Sequence, residues 1–254
     1  MSPFVSDHRR RWPWLVGAIV LVLATAVGIA VAVRPWSGPA PARAAVRLPA
    51  VGLPPGLTAA QAQKILDTCL NTRAKQQATD AKLFNAVVTG YATDALIYSG
   101  RWAVGCQINP MGSGGMTTMP LPGDVRWLDG PLSVDLTDGK DSRPWMKQPG
   151  FDVIGGRVPP GVRKVTVDLH GKTYPIAVVN GTYLARIPRD RLYRDEHGEE
   201  PARKVIRAFD ANGKLVGTYE TGYRARHCVV TPDGERLDRD PQYPKPCVTA
   251  ASWV

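Results

Sequence analysis

The four cysteines of this sequence have the most clearly defined chemistry. They lie at Cys69, Cys106, Cys228 and Cys247, all after a long apolar segment near the N-terminus. An even number of cysteines in a chain that enters an oxidising compartment is typical of disulfides, so we predict two of them. The sequence alone leaves open the alternative of four unpaired, buried thiols.

The first disulfide is predicted from the positions of a helix and a strand. Thr58 and Gln61 have the spacing of a capping box, and apolar residues follow at helical period. These features predict a helix from Ala59 to about Gln77 with Cys69 on its apolar side. The segments LFNAVV, ALIYS and RWAVGCQI predict three strands, and the alternation in the third turns Cys106 towards the helix. We therefore predict a Cys69–Cys106 disulfide.

The second disulfide is predicted within the C-terminal tail. The segment from Cys228 to Cys247 is charged, rich in proline and poor in apolar residues, so packing alone would not hold its shape. A local bridge would restrict it. Four cysteines allow three connectivities, and the pairs Cys69–Cys106 and Cys228–Cys247 fit the predicted elements best.

No other pattern specifies a catalytic or metal site. The four histidines have none of the spacings of metal ligands, and no G-x-S-x-G elbow is present. They are His8, His170, His197 and His227. We expect no cofactor and no metal, and catalytic residues are not identified. A dispersed catalytic triad stays possible, so an enzyme is kept as an alternative.

Residues 111–124 are rich in glycine and proline, which predicts a loop or interdomain hinge. Met111, Met116 and Met119 fall in this segment. Thioether groups can bind a soft ion such as Cu(I), but no histidine or cysteine accompanies these three. We therefore interpret them as incidental residues of a loop.

The segment from Trp14 to Val33 has no charged residue and is long enough to cross a bilayer core of about 30 Å. Arg9, Arg10 and Arg11 precede it, which predicts a cytoplasmic tail at residues 1–13 and extracytoplasmic residues after the span. The prediction is a single-pass protein of the cell membrane. The alternative is a secretory signal that is cleaved after the span, which would release a secreted protein.

Small residues recur every four positions on one side of this segment, at Ala24, Gly28 and Ala32. Small residues at this spacing let two transmembrane helices approach closely, so a weak homodimer through the span is a hypothesis. The alternative is coincidence in a chain that is rich in alanine.

The fold class predicted for the whole chain is α+β. Residues 34–57 are rich in proline and alanine and are predicted to be a linker. Residues 58–110 are predicted to form a small domain of one helix on an antiparallel sheet, and residues 125–227 an all-β sandwich of the immunoglobulin-like kind. Residues 228–254 form the tail that the second disulfide closes.

The sandwich is predicted from alternating strands and short turns. Val165, Val167 and Leu169 alternate with polar residues, and Asn180-Gly181 and Asn212-Gly213 are hairpin turn pairs between apolar segments. The unit GRVPPGVRKVTV, continued through VVNGTYLA, resembles the extracytoplasmic part of uncharacterised actinobacterial membrane or secreted proteins. The resemblance covers mainly Gly155 to Glu220. It implies a bacterial envelope setting and transfers no catalytic residue.

The net charge of +10 allows attraction to anionic partners, but no basic run interleaved with aromatics indicates nucleic-acid binding. Two classes of function remain. The first is a non-enzymatic envelope module that binds a protein, a glycan or an anionic wall polymer. The second is an envelope hydrolase with a dispersed active site. The first is preferred, because no catalytic cluster is visible in the sequence.

Overall fold

One helix and fifteen strands make up the part of the chain that the computed structural model describes, namely residues 48–70, 80–112, 114–121, 124–140, 150–169, 171–189, 203–221, 228–237 and 246–253. The helix, α1, is Ala59–Cys69. The strands are β1 Lys82–Val88, β2 Thr93–Tyr98, β3 Trp102–Ile108, β4 Gly114–Pro120, β5 Trp127–Leu128, β6 Leu136–Lys140, β7 Phe151–Arg157, β8 Val162–Leu169, β9 Lys172–Val179, β10 Thr182–Pro188, β11 Val205–Asp210, β12 Leu215–Glu220, β13 Val229–Val230, β14 Val248–Thr249 and β15 Ala251–Ser252.

Helix α1 begins at the predicted capping box. The backbone N–H of Gln61 donates to the Thr58 hydroxyl, and the backbone N–H of Thr58 donates to the Gln61 side chain at 2.8 Å. These bonds satisfy two N–H groups that would otherwise lack partners at the helix start. The helix ends at Cys69, and the predicted extension to Gln77 falls on residues 71–79, outside the described residues.

Strands β1 to β4 form an antiparallel sheet in sequence order. The three predicted strands are confirmed as β1, β2 and β3. The predicted loop at residues 111–124 is wrong over Gly114–Pro120, because β4 pairs with β3 along its whole length. Interstrand hydrogen bonds and packing therefore override the low strand propensity of its glycines and proline.

The second sheet has seven strands in the order β12-β11-β8-β9-β10-β7-β6. Strand β9 pairs with β8 along its length but with β10 only beside the turn at Asn180-Gly181. Asn180 and Gly181 have φ of 50° and 68°, as a tight hairpin turn requires. Because the sheet turns over at β9, β8 and β11 pack against β7 and β10 in a β-sandwich-like fold. Their shared core contains Ile154, Val165, Val167, Tyr183 and Ile206.

The opposite face of β6, β7 and β10 packs against the four-stranded sheet. The core between them joins Phe84, Leu96 and Tyr98 to Phe151, Val153 and Leu184. All seven residues of β7 are buried, as expected for a strand covered on both faces. Helix α1 packs on the outer face of the four-stranded sheet through a separate core.

These shared cores cross the predicted boundary between residues 58–110 and residues 125–227. The described residues lie in one compact unit. The predicted linker reaches into the fold, because Leu48 is buried in the core between the sheets. Trp253 of the predicted tail lies in the same core.

Both predicted disulfides are present. Cys69–Cys106 joins α1 to β3, with the two Cα atoms 5.7 Å apart. Cys228–Cys247 lies beside the short parallel pairing of β13 with β14. Two disulfides indicate folding in an oxidising, extracytoplasmic compartment.

No helix among the described residues is long and apolar enough to cross a membrane. The predicted span, from Trp14 to Val33, lies outside the described residues.

Candidate functional site

A buried ion pair joins β7 to the residue that precedes β6. The side chain of Arg157 is 1% exposed, and its Nε lies 2.8 Å from Oδ2 of Asp135. The Tyr98 hydroxyl donates to the same carboxylate at 2.7 Å, and the Ser133 hydroxyl donates at 2.8 Å. Burial alone would lower the pKa of Arg157, but the charge of Asp135 and its hydrogen bonds outweigh burial and raise it.

Aromatic rings enclose this pair. The guanidinium carbon of Arg157 lies 5.7 Å from the centre of the Tyr98 ring and 5.6 Å from that of Trp253. Burial, reinforced by the charge of Asp135, raises the pKa of Tyr98 well above its ordinary value. Tyr98 is therefore a neutral hydrogen-bond donor, and the buried cluster stabilises the packing of the layers.

A second buried carboxylate, Asp152, is bound by two cations. Nε of Arg189 lies 2.8 Å from Oδ2, and Nζ of Lys204 lies 2.8 Å from Oδ1. Burial would raise the pKa of Asp152, but hydrogen bonds and charge from Arg189 and Lys204 hold it below its ordinary value. These two ion pairs link β7 to the segment after β10 and to the segment before β11.

Among the described residues, every buried side-chain nitrogen or oxygen has a hydrogen-bond partner. No group of three or more potential metal ligands occurs in the same part of the chain. The buried polar groups of the described residues thus already have partners, and the candidate site lies at the surface.

A cleft of about 220 Å³ opens where the two sheets meet at their edges. Strands β2, β3 and β4 supply one wall, and β6 and β7 supply the other. Leu136 and Val153 make part of its lining apolar, while Gln107, Thr117 and Asp138 add polar groups. The sheets approach closely here because β3 carries Gly105, where a Cβ would lie 2.2 Å from a methyl carbon of Leu136.

The two carboxylates of the cleft differ in their partners. Asp94 is 1% exposed, and its oxygens bind Nη1 of Arg186 at 2.8 Å and Nε2 of Gln107 at 3.0 Å. Asp138 is half-buried and accepts a hydrogen bond from the backbone N–H of Gly139 at 2.8 Å. It forms no ion pair with another described residue. Asp138 therefore brings to the cleft a carboxylate that no cation in the described part of the chain neutralises.

Strand β4 borders the cleft and is the edge of its sheet. The N–H of Leu121 donates to the carbonyl of Arg101. Because backbone groups of successive residues in a strand point to opposite sides, this bond shows which residues of β4 hydrogen-bond to β3. The N–H and C=O groups of Gly115, Thr117 and Met119 thus point towards β3. Those of Gly114, Met116 and Thr118 point away from it, to the open edge.

Apart from Pro120 at its end, the composition of β4 gives this edge none of the usual protection. Protein edges are usually guarded by charged side chains, prolines or bulges. Between Gly114 and Met119 there is no charged residue and no proline, and the pairing with β3 has no bulge. Among the described strands, none pairs with the outer side of β4.

The structure places the predicted site residues unevenly. The cysteines are paired as above, whereas Ala24, Gly28, Ala32 and the four histidines lie outside the described residues. Of the three methionines, Met116 and Met119 belong to β4.

The cleft was missed by reasoning from sequence. Asp94, Gln107, Thr117 and Asp138 come from four strands, and no short motif connects them. Only the pairing of β3 with β4 and the packing of β6 against them bring these side chains together.

Comparison with models of known protein families, with curated proteins and with solved structures returned no match. The resemblance to actinobacterial envelope proteins thus rests on the segment from Gly155 to Glu220 alone.

Proposed function

We propose that this chain is a non-enzymatic, extracytoplasmic binding module that holds an extended segment of a partner protein along the outer edge of β4. The observation that carries the proposal is the open, uncharged edge of β4 beside the cleft. An extended peptide can add to such an edge as a further strand, with affinity from backbone hydrogen bonds and specificity from alternate side chains.

This geometry favours a protein over the other predicted partners, a glycan or an anionic wall polymer. The free groups of β4 are alternating backbone donors and acceptors, which match another polypeptide strand. The cleft adds a carboxylate, which would repel a polyanion. The β-sandwich-like fold supplies a rigid support, and an immunoglobulin-like topology for it is part of the proposal.

We prefer this function to the envelope hydrolase. A hydrolase needs a nucleophile or an acid–base pair open to its substrate. At the cleft, Asp94 is engaged with Arg186 and Gln107, and no hydrogen bond joins Asp138 to the Thr117 hydroxyl, so the described cleft holds no activated nucleophile.

The test is a proline substitution at an outward-pointing position of β4. Thr118→Pro removes a free N–H that β3 does not use, and an edge strand tolerates this change. Thr118→Val keeps the N–H and serves as the matched control. The full chain and both variants are used to capture partners from envelope extracts, and their thermal unfolding is compared.

We expect the wild type and Thr118→Val to retain the same protein partner and Thr118→Pro to lose it, with similar unfolding temperatures. Equal capture by Thr118→Pro would show that the edge of β4 is not the binding site.

A further inference from the structure

The cleft beside β4 points to the chemistry of the partner segment. Resting on the proposed function, we propose that the segment carries a lysine or arginine whose side chain enters the cleft and pairs with Asp138. Three observations carry this inference: the direction of alternate side chains, the lining of the cleft, and the balance of charge in it.

The direction follows from the pleat of the sheet. Gly115 and Thr117 share the face of β4 that lines the cleft. In paired strands, directly opposite residues project to the same face. A strand added to the edge of β4 would therefore turn every second side chain to the face on which the cleft opens. Gly115 has no side chain, and nothing lies within 4 Å of the position its Cβ would take, so the space beside it is open.

The lining suits a long side chain with a charged end. Leu136 and Val153 offer apolar surface, and Asp138 offers a carboxylate. Lysine and arginine have an apolar stem that packs on such surface and a cation at its tip. The volume of about 220 Å³ is below the ~300–1,000 Å³ of common small-molecule sites, so it fits one side chain better than a free ligand.

The charges of the described cleft residues favour one cation from the partner. The charge of Asp94 is already countered by Arg186 at 2.8 Å, whereas Asp138 has no cationic partner among the described residues. A carboxylate or phosphate from the partner would meet Asp138 with the same sign and be disfavoured. A neutral side chain would leave the negative charge of Asp138 without a counter-charge, because the bound partner excludes water from the cleft.

The experiment is a selection from a phage-displayed library of random peptides on the purified full-length chain. Parallel selections use Thr118→Pro, which removes the edge N–H, and Asp138→Asn, which removes the charge and keeps the shape. For one selected peptide, each lysine or arginine is then replaced by norleucine, and affinities are measured on wild type and Asp138→Asn.

We expect peptides that need an intact edge to carry lysine or arginine at one position, and its norleucine variant to bind about tenfold more weakly to the wild type. On Asp138→Asn the two peptides should bind equally. Edge-dependent peptides without a basic preference, or with the same preference on Asp138→Asn, would overturn this inference and leave the proposed function standing.

Two other outcomes would overturn both. One is that no peptide selected on the wild type is lost on Thr118→Pro. The other is that the wild-type chain dimerises in a concentration-dependent way that Thr118→Pro abolishes and no peptide competes, because the edge would then serve a second copy of the chain.

Discussion

Individual charged residues in the interior of this molecule hold its layers in register. Arg157 is almost completely buried, and its guanidinium also donates to the backbone carbonyls of Val125 at 2.7 Å and Trp127 at 2.9 Å. One side chain thus ties β7 to the segment around β5 and to Asp135 before β6. Such a network is stable only while each member keeps its partners.

The first prediction concerns this ion pair. Arg157→Met leaves Asp135 buried without its cation, so we expect the free energy of unfolding to fall by about 3–5 kcal/mol. Adding Asp135→Leu removes the unpaired buried charge and should recover part of the lost free energy of unfolding. The recovery is incomplete because the hydroxyls of Tyr98 and Ser133 lose their acceptor. Urea unfolding of the three proteins measures this. A loss below about 1 kcal/mol for Arg157→Met would contradict a structural role.

The second prediction concerns pH. Because Arg189 and Lys204 lower the pKa of Asp152 in the folded state, its contribution to stability is complete above the unfolded pKa of about 3.9. The contribution is lost as the pH falls through the lower, folded pKa. We expect Asp152→Asn to cost about 2–3 kcal/mol near pH 7 and progressively less in acid.

Unfolding temperatures of the wild type and Asp152→Asn between neutral pH and about pH 3 would show this convergence. Asp168→Asn is the comparison, since its partner Arg207 is more than a third exposed and the solvent screens the pair. We expect a much smaller cost there. A gap between the wild type and Asp152→Asn that stays constant with pH would rule out the ionised carboxylate as its source.

At the scale of elements, β7 and β4 show opposite environments. Strand β7 is covered on both faces and β4 is open at its edge. Their glycines differ accordingly. A Cβ at Gly156 of β7 would lie 2.0 Å from the carbonyl oxygen of Ser133, whereas a Cβ at Gly115 of β4 would meet nothing within 4 Å.

The third prediction follows from these distances. Gly156→Ala should destabilise the protein by about 3 kcal/mol or more, because the clash is with backbone that cannot rotate away. Gly115→Ala should change stability by no more than about 0.5 kcal/mol. Urea midpoints compare the two, and similar values for both variants would contradict the close packing of β7.

At the scale of the whole molecule, two disulfides join segments that the cores alone would leave weakly held. Cys69–Cys106 spans 37 residues and attaches the helix to its sheet. Cys228–Cys247 spans 19 residues. It lies just before β14 and β15, which lead to Trp253. Trp253 in turn packs against Phe84 and Tyr98, with ring centres 4.9 and 5.1 Å apart.

The fourth prediction ranks the disulfides. In the chain-entropy model the longer loop stabilises more, so replacing Cys69 and Cys106 by alanine should cost about 4 kcal/mol and replacing Cys228 and Cys247 about 3 kcal/mol. Unfolding of both double variants, with free thiols absent in each, measures the order. A larger loss from the tail pair would indicate that strain or denatured structure outweighs loop length.

The sequence by itself determined the features that depend on neighbours along the chain. Helical period and a capping box located α1 at Thr58, alternation located β1 to β3, and Asn-Gly pairs located the hairpin turns. It also predicted the disulfide partners. Cys69 and Cys106 lie on the apolar faces of neighbouring elements, whereas Cys228 and Cys247 flank a segment with few apolar residues. Local hydrogen bonding and side-chain periodicity are sufficient for these features.

Only the tertiary structure decided the rest, because those features depend on contacts between residues far apart in the chain. Gly114–Pro120 becomes a strand through its pairing with β3, despite a composition typical of a loop. One core joins strands of residues 58–110 to strands of residues 125–227, because β7 and β10 are buried on both faces. The cleft exists only where Asp138 of β6 meets β3 and β4, since the pleat fixes which face a side chain takes but not which sheet that face will meet.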